Sequence, residues 1–266
     1  MTSEDKGMPR KFFEYLDELL GRLKKTIIFF IVFFFLIFLT GPEKFNFFGV
    51  SIILPFPNFF NSFSVLLLKK IEYFLVPKGM ILINVAPFDV VVSDVYVALS
   101  VSLSLTIPLL VYQILSFASP GLYEKERKVV IYSILPIFIL FAAGVIFALK
   151  EIIPLLLKLI YEFSINLHVL PTMGIKDFIS IILLICVGMG AVFETPVIIV
   201  TLSYLKIVKP SFWFKNWRYA IIGAFFMALL ISPGATGGIM EVTIATIIII
   251  LYFIGALIAR KVYKDN

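Results

Sequence analysis

Glu194 is the only acidic residue in Ile181–Leu205, a stretch otherwise apolar enough to cross a lipid bilayer. A carboxylate near the middle of a membrane span costs about 2.5 kcal/mol or more, so its presence asks for a compensating role. Three roles fit the chemistry: carrying a proton, meeting a polar group of another helix, or a structural hydrogen bond to a Ser or Tyr of a neighbouring span. Pro196, two residues on, cannot donate its backbone hydrogen bond, so a kink is expected there. A second acidic set lies outside the apolar runs. Glu14, Glu18 and Arg22 recur four residues apart, and Glu124 and Glu126 follow Ser119-Pro120, a pair suited to opening a helical turn. Taken alone, the first ladder is a solvated helix face worth a few tenths of a kcal/mol per pair. Carboxylates so placed could also bind a basic peptide.

Catalytic and metal chemistries find little support. The single histidine, His168, has no cysteine or second histidine to complete a metal set and reads as a loop residue near the membrane surface. Cys186 is the only cysteine, so no intramolecular disulfide can form. The spans contain no Ser/His pair, no paired Asp and no His-Glu metal motif. No cofactor or metal is expected, and the chain is not read as an enzyme.

The elements that position these acids are membrane helices. The chain is 61% hydrophobic with 29 Phe in 266 residues, well above the roughly 45–50% apolar share of soluble domains. Its mean hydropathy is +1.07. Six apolar runs read as spans: 26–39, 95–115, 129–149, 178–205, 219–231 and 242–259. Sixteen of the 23 Lys and Arg fall in the N-terminal segment, the second-to-third and fourth-to-fifth connections and the C-terminal tail, which puts both termini in the cytoplasm. A cleaved signal peptide is disfavoured, because a long charged lead precedes Phe-rich sequence without a small-x-small cleavage site. The expected class is therefore an all-α integral membrane protein of six transmembrane helices in one polytopic domain, residues 1–266. No nucleic-acid partner is implied.

The fifth and sixth spans are short. Residues 219–231 cover roughly 20 Å as a helix, against a hydrocarbon core of about 30 Å, so the bilayer should thin around them. Ser232-Pro233-Gly234 argues against a later stop. On the outer side, residues 65–76 and 154–167 group apolar residues on one face and read as interfacial helices. Residues 45–60 and 78–89, with Pro55, Pro57, Pro77 and Pro87, are expected to form ordered turns. Phe12, Leu16, Leu19, Leu20 and Leu23 recur at helical spacing, marking an amphipathic lead-in helix.

Together these residues resemble a known family. Phe117-x-x-Pro120-Gly-Leu122-Tyr123-x-x-Glu126-Arg127, with Pro108-x-x-x-x-Gln113 before it, Phe193-Glu194-x-Pro196 in the fourth span and Arg218-Tyr219 before the fifth, is similar to TatC of the twin-arginine protein translocase. The topology is similar too, and the resemblance covers nearly the whole chain. It implies a receptor for the twin-arginine signal peptides of folded precursors. Such a receptor assembles with single-span TatA/TatB-like partner subunits, and with further copies of itself, for export driven by the proton-motive force from the cell membrane.

Carried onto this sequence, the resemblance implies a signal-peptide site of Glu18, Phe117, Pro120, Leu122, Tyr123, Glu126 and Arg127. Two guanidinium groups seek carboxylates through paired, charge-assisted hydrogen bonds. Phe193, Glu194 and Pro196 would form an intramembrane polar site, and Leu229, Leu230 and Ser232 the docking point for a partner helix. Departures exist. Tyr15 stands where the family has His, Leu20 where it has Arg, and Ser-Pro-Gly-Ala235 replaces a Pro-Pro-Asp pattern, with Glu241 the candidate to replace the lost acid. The alternative is a proton-coupled small-solute transporter using Glu194. It would be expected to carry more polar cavity residues and repeat symmetry than this chain does.

Overall fold

The computed structural model describes residues 7–47, 50–117, 131–234 and 236–264. Helices dominate it, because long apolar runs must satisfy their backbone groups internally. Helix α1, Gly7–Leu39, merges the amphipathic lead-in and the first expected span into one rod of 33 residues. Strands β1, Thr40–Phe47, and β2, Val50–Pro57, follow, and then helix α2, Phe63–Leu75. Strand β3, Ile81–Ile83, precedes α3, Asp89–Phe117. Helix α4, Ile134–Phe147, runs through a π-helical turn, Ala148–Ile152, into α5, Ile153–Asn166. Strand β4, Thr172–Gly174, leads into α6, Ile175–Phe193, and α7, Thr195–Tyr204. A short α8, Pro210–Lys215, then α9, Trp217–Ile231, and α10, Ile239–Lys264, complete the order.

Among the described residues, four helical stretches are long and apolar enough to cross a membrane: Asp89–Phe117, Ile134–Asn166, Ile175–Tyr204 and Ile239–Tyr263. Trp217–Ile231 is a shorter apolar helix. Its 15 residues rise about 22 Å, so the short fifth span holds. The expected stop holds as well, since Ser232 is extended and ends the helix. The first expected span, 26–39, is the apolar half of α1. The sixth span, expected to be short, is not: α10 extends beyond 242–259 at both ends, for 26 residues in all, and is long enough to cross the membrane.

Two outer-side expectations change. Residues 45–60 are largely strand rather than turn: β1 and β2 pair antiparallel over eight positions, from Thr40 opposite Pro57 to Phe47 opposite Val50. A two-stranded ribbon consists only of edges, which is where proline is tolerated. Residues 154–167 do form a helix, but it continues the third span through the π turn instead of starting afresh. The first interfacial segment, 65–76, is helical as read and makes up most of α2. Ser62 caps it by accepting from the Val65 N–H at 3.3 Å. Strands β3 and β4 pair in parallel and tie two outer segments together.

The core is centred on α6. Ile182, Ile185 and Met189 are buried against Ile152, Leu156, Met240 and Ile244 from the α4–α5 rod and α10. Helix α6 packs on α3 and α4, α7 on α10, and α1 on α3. Two of the close approaches between helices flank Glu194. A β-carbon on Gly144 would come 2.6 Å from the Met189 carbonyl oxygen, and one on Gly255 2.8 Å from Pro196 Cα. Glycine thus lets α4 approach α6, and α10 approach α7, on either side of Glu194.

Candidate functional site

Helices α1 and α3 meet at a polar corner. Arg22 Nη1 donates to Ser116 Oγ at 2.8 Å and to Gln113 Oε1 at 3.4 Å. Gly21, Arg22, Lys25 and Gln113 line a cleft of about 410 Å³ beside it. Thr26 Oγ1 bonds back to the Arg22 carbonyl at 3.2 Å. Glu18 stands on α1 one turn before Arg22; its side chain lies outside the described ones. Phe117 is half-buried at the last position of α3, next to Ser116. Pro120, Leu122, Tyr123, Glu126 and Arg127 lie outside the described residues. The structure therefore brings the Glu18 turn and Phe117 to one corner, through an arginine that the sequence showed only as part of a charged ladder on α1. Arg22 and Ser116 are 94 positions apart, and no local pattern announces a bond across that distance.

Glu194 sits between two helices rather than within one. The run 178–205 breaks there: α6 ends at Phe193, α7 begins at Thr195, and Pro196 occupies the first turn of α7. That is the kink its missing N–H calls for. The Glu194 side chain is fully buried, and neither carboxylate oxygen has a hydrogen-bond partner among the described residues. Among the described residues it therefore makes no structural bond to a Ser or Tyr of another span. Phe193 packs on Phe147 of α4, ring centroids 5.7 Å apart, and Pro196 is buried against Gly255. Just past the break, Tyr132, Leu140, Pro196, Val197 and Ile258 are among the residues lining an apolar cleft of about 340 Å³.

The end of α9 differs. Leu229 and Leu230 are exposed, 61% and 54%, on a helix that also presents Ile222 and Phe226 outward. Ser232 is buried, and its hydroxyl donates to Glu241 Oε1 at 2.7 Å. Thr236 Oγ1 donates to Glu241 Oε2 at 3.1 Å. Glu241, in the first turn of α10, thus ties the fifth and sixth spans together. His168 lies in the turn after α5, exposed and with a left-handed φ of 57°. No group of three or more His, Cys, Asp or Glu able to hold a metal occurs among the described residues.

Long apolar helices, one broken at a buried carboxylate, define a polytopic helical membrane protein with an intramembrane acidic site. The chain belongs to the TatC family of Sec-independent protein translocase proteins, whose model matches residues 14–246. It is 27% identical over 253 residues to the Sec-independent protein translocase protein TatC of Cenarchaeum symbiosum, covering 94% of this chain and 95% of that one. To TatCy of Bacillus subtilis it is 35% identical over 167 residues, 63% of this chain and 65% of that one. A crystal structure of the twin-arginine translocase receptor TatC superposes with a TM-score of 0.74 at 23% identity, covering 93% of this chain and 99% of the other. That likeness establishes a shared fold. The chain is accordingly a membrane component of a Sec-independent protein translocase, working with other components of that system.

Proposed function

We propose that this chain is the subunit that receives twin-arginine signal peptides, with both termini in the cytoplasm. Glu18 and Glu126 accept the two guanidinium groups, and Phe117, Pro120, Leu122, Tyr123 and Arg127 shape the surrounding loop. The observation that carries the reading is the Arg22 bond to Gln113 and Ser116, which fixes the Glu18 turn of α1 beside Phe117, where that loop begins. Two carboxylates on separate elements suit a pair of guanidinium groups better than one point charge does. Glu194, with Phe193 and Pro196, offers hydrogen-bonding capacity to a polar group of a single-span TatA/TatB-like partner. The exposed Leu229 and Leu230 give that helix an apolar seat at the end of α9, whose terminus Ser232 holds. Further copies of the chain assemble around the same precursor. The activity is translocation driven by the proton-motive force, not catalysis. A proton-coupled transporter would also employ Glu194, but membership in a translocase family favours the partner role.

Photo-crosslinking tests the receptor assignment directly. Probes placed beside Glu18 and Glu126 are expected to capture a signal peptide carrying two arginines, and to lose most of that capture when both become lysines. Equal capture of the two peptides would remove the chemical basis of the assignment.

A further inference from the structure

The segment between α7 and α9 has a feature the receptor role does not use. From Thr195 to Met240 the chain contains no Asp or Glu, yet Lys206, Lys209, Lys215 and Arg218 fall within 13 residues of it. All four are exposed, and none is paired with a carboxylate among the described residues. Apolar side chains alternate with them at the surface: Ile207 is 51% exposed, Phe212 52% and Trp217 42%. Lys209, Ser211, Lys215, Ile207 and Phe212 together line a cleft of about 580 Å³. Its walls therefore combine two ammonium groups and a hydroxyl with an apolar floor.

The cleft is preformed rather than a loose loop. The Trp213 indole N–H donates to Ser203 Oγ at 2.9 Å, and the Tyr252 hydroxyl donates to the Trp213 carbonyl at 2.8 Å, so α8 is pinned to α7 and α10. Lys206 adopts a left-handed φ of 58° at the end of α7. The Ile207 and Val208 N–H groups bond back to the Leu202 carbonyl at 3.1 and 3.2 Å. A left-handed residue closing a helix is ordinarily Gly or Asn. With Lys there, the turn directs Ile207 outward beside the cleft and adds a cation to its rim.

We propose that this cleft binds the headgroup of an anionic phospholipid in the leaflet on the basic side of the membrane. Lys209 and Lys215 neutralise the phosphate, Ser211 supplies a neutral donor, and Ile207 and Phe212 lie along the upper acyl chains. Charge complementarity selects the occupant, because four cations with no carboxylate partner among the described residues, Arg218 stacked on Trp217 and the three lysines free of ion pairs, favour an anionic surface. The exposed aromatic and aliphatic side chains select lipid over a soluble phosphate, since they gain only from contact with acyl chains.

The chain offers a built-in reporter, because its only two tryptophans, Trp213 and Trp217, stand within two residues in sequence of the cleft-lining Phe212 and Lys215. The full chain is reconstituted in phosphatidylcholine nanodiscs containing increasing fractions of either brominated phosphatidylglycerol or brominated phosphatidylcholine, and tryptophan quenching is recorded. Phosphatidylglycerol is expected to reach half-maximal quenching at about a five- to tenfold lower mole fraction than phosphatidylcholine. Lys209→Gln with Lys215→Gln should erase that preference. Lys209→Arg with Lys215→Arg should keep it, and Lys158→Gln, on the far side, should leave it unchanged. Soluble glycerol phosphate should not relieve the quenching. Superimposable curves for the two lipids, a preference that survives the double Gln variant, or displacement by glycerol phosphate would each overturn the proposal.

Discussion

Glu194 and Glu241 are both buried carboxylates at helix ends, and the chain treats them in opposite ways. Each oxygen of Glu241 receives a hydroxyl, from Ser232 at 2.7 Å and from Thr236 at 3.1 Å. Neither oxygen of Glu194 receives anything among the described residues. An unmet buried acceptor costs about 1–3 kcal/mol, whereas a bonded one contributes to stability. Glu241 is thus consumed by its own fold, closing the turn between the fifth and sixth spans. Glu194 keeps its hydrogen-bonding capacity for a group the described residues do not supply. Burial alone would have put the two in one category; their hydrogen bonds separate them.

The comparison can be broken most forcefully at Glu194. Replacing it with Ala removes no bond to any described residue, so the thermal midpoint of the purified protein should stay level or rise. Export of a twin-arginine precursor in cells should nevertheless fall more than tenfold. A fall in stability with export intact would make Glu194 structural. The next largest effect is expected at Gly255, whose place admits no β-carbon beside Pro196. Gly255→Leu should drive α10 off α7 and cost about 3 kcal/mol in a denaturation series, as overpacked cores do. Glu241→Ala should cost about 2 kcal/mol, because the Ser232 and Thr236 hydroxyls lose a charged acceptor. Its export should fall only as far as the amount of folded protein does. An export defect out of proportion to folding would place Glu241 beside Glu194 and erase the contrast. Smallest is Arg22→Gln, at about 1 kcal/mol, since its bonds to Gln113 and Ser116 are only half-buried. Binding of a fluorescent signal peptide is the sharper readout there, and should weaken as the Glu18 turn loosens from Phe117.

Much of the helical frame was legible in the sequence, because apolar length and proline placement act locally. The stop at Ile231 followed from Ser232-Pro233-Gly234, and the break at Glu194 from Pro196. The β1–β2 ribbon was not legible. Pro55 and Pro57 read as turns, and only the pairing of one whole segment with the next lets a proline sit on an outer edge. The third span was expected to end at Leu149, yet the π turn carries the helix on through Lys150 and Glu151. At the sites, the acidic positions could be picked from the chain, but which of them is satisfied could not. The bonds of Arg22 to α3 and of Glu241 to Ser232 and Thr236 arise from packing between helices, and residue spacing carries no trace of them.

The unbonded state of Glu194 can be tested where a partner would meet it. A photoreactive residue at Val197, lining the cleft beside the break, is activated in membranes containing a single-span partner and a precursor. The account predicts a covalent adduct with the partner helix in the wild type that is lost in Glu194→Ala. An adduct of equal yield in both, or none while export proceeds, would contradict it.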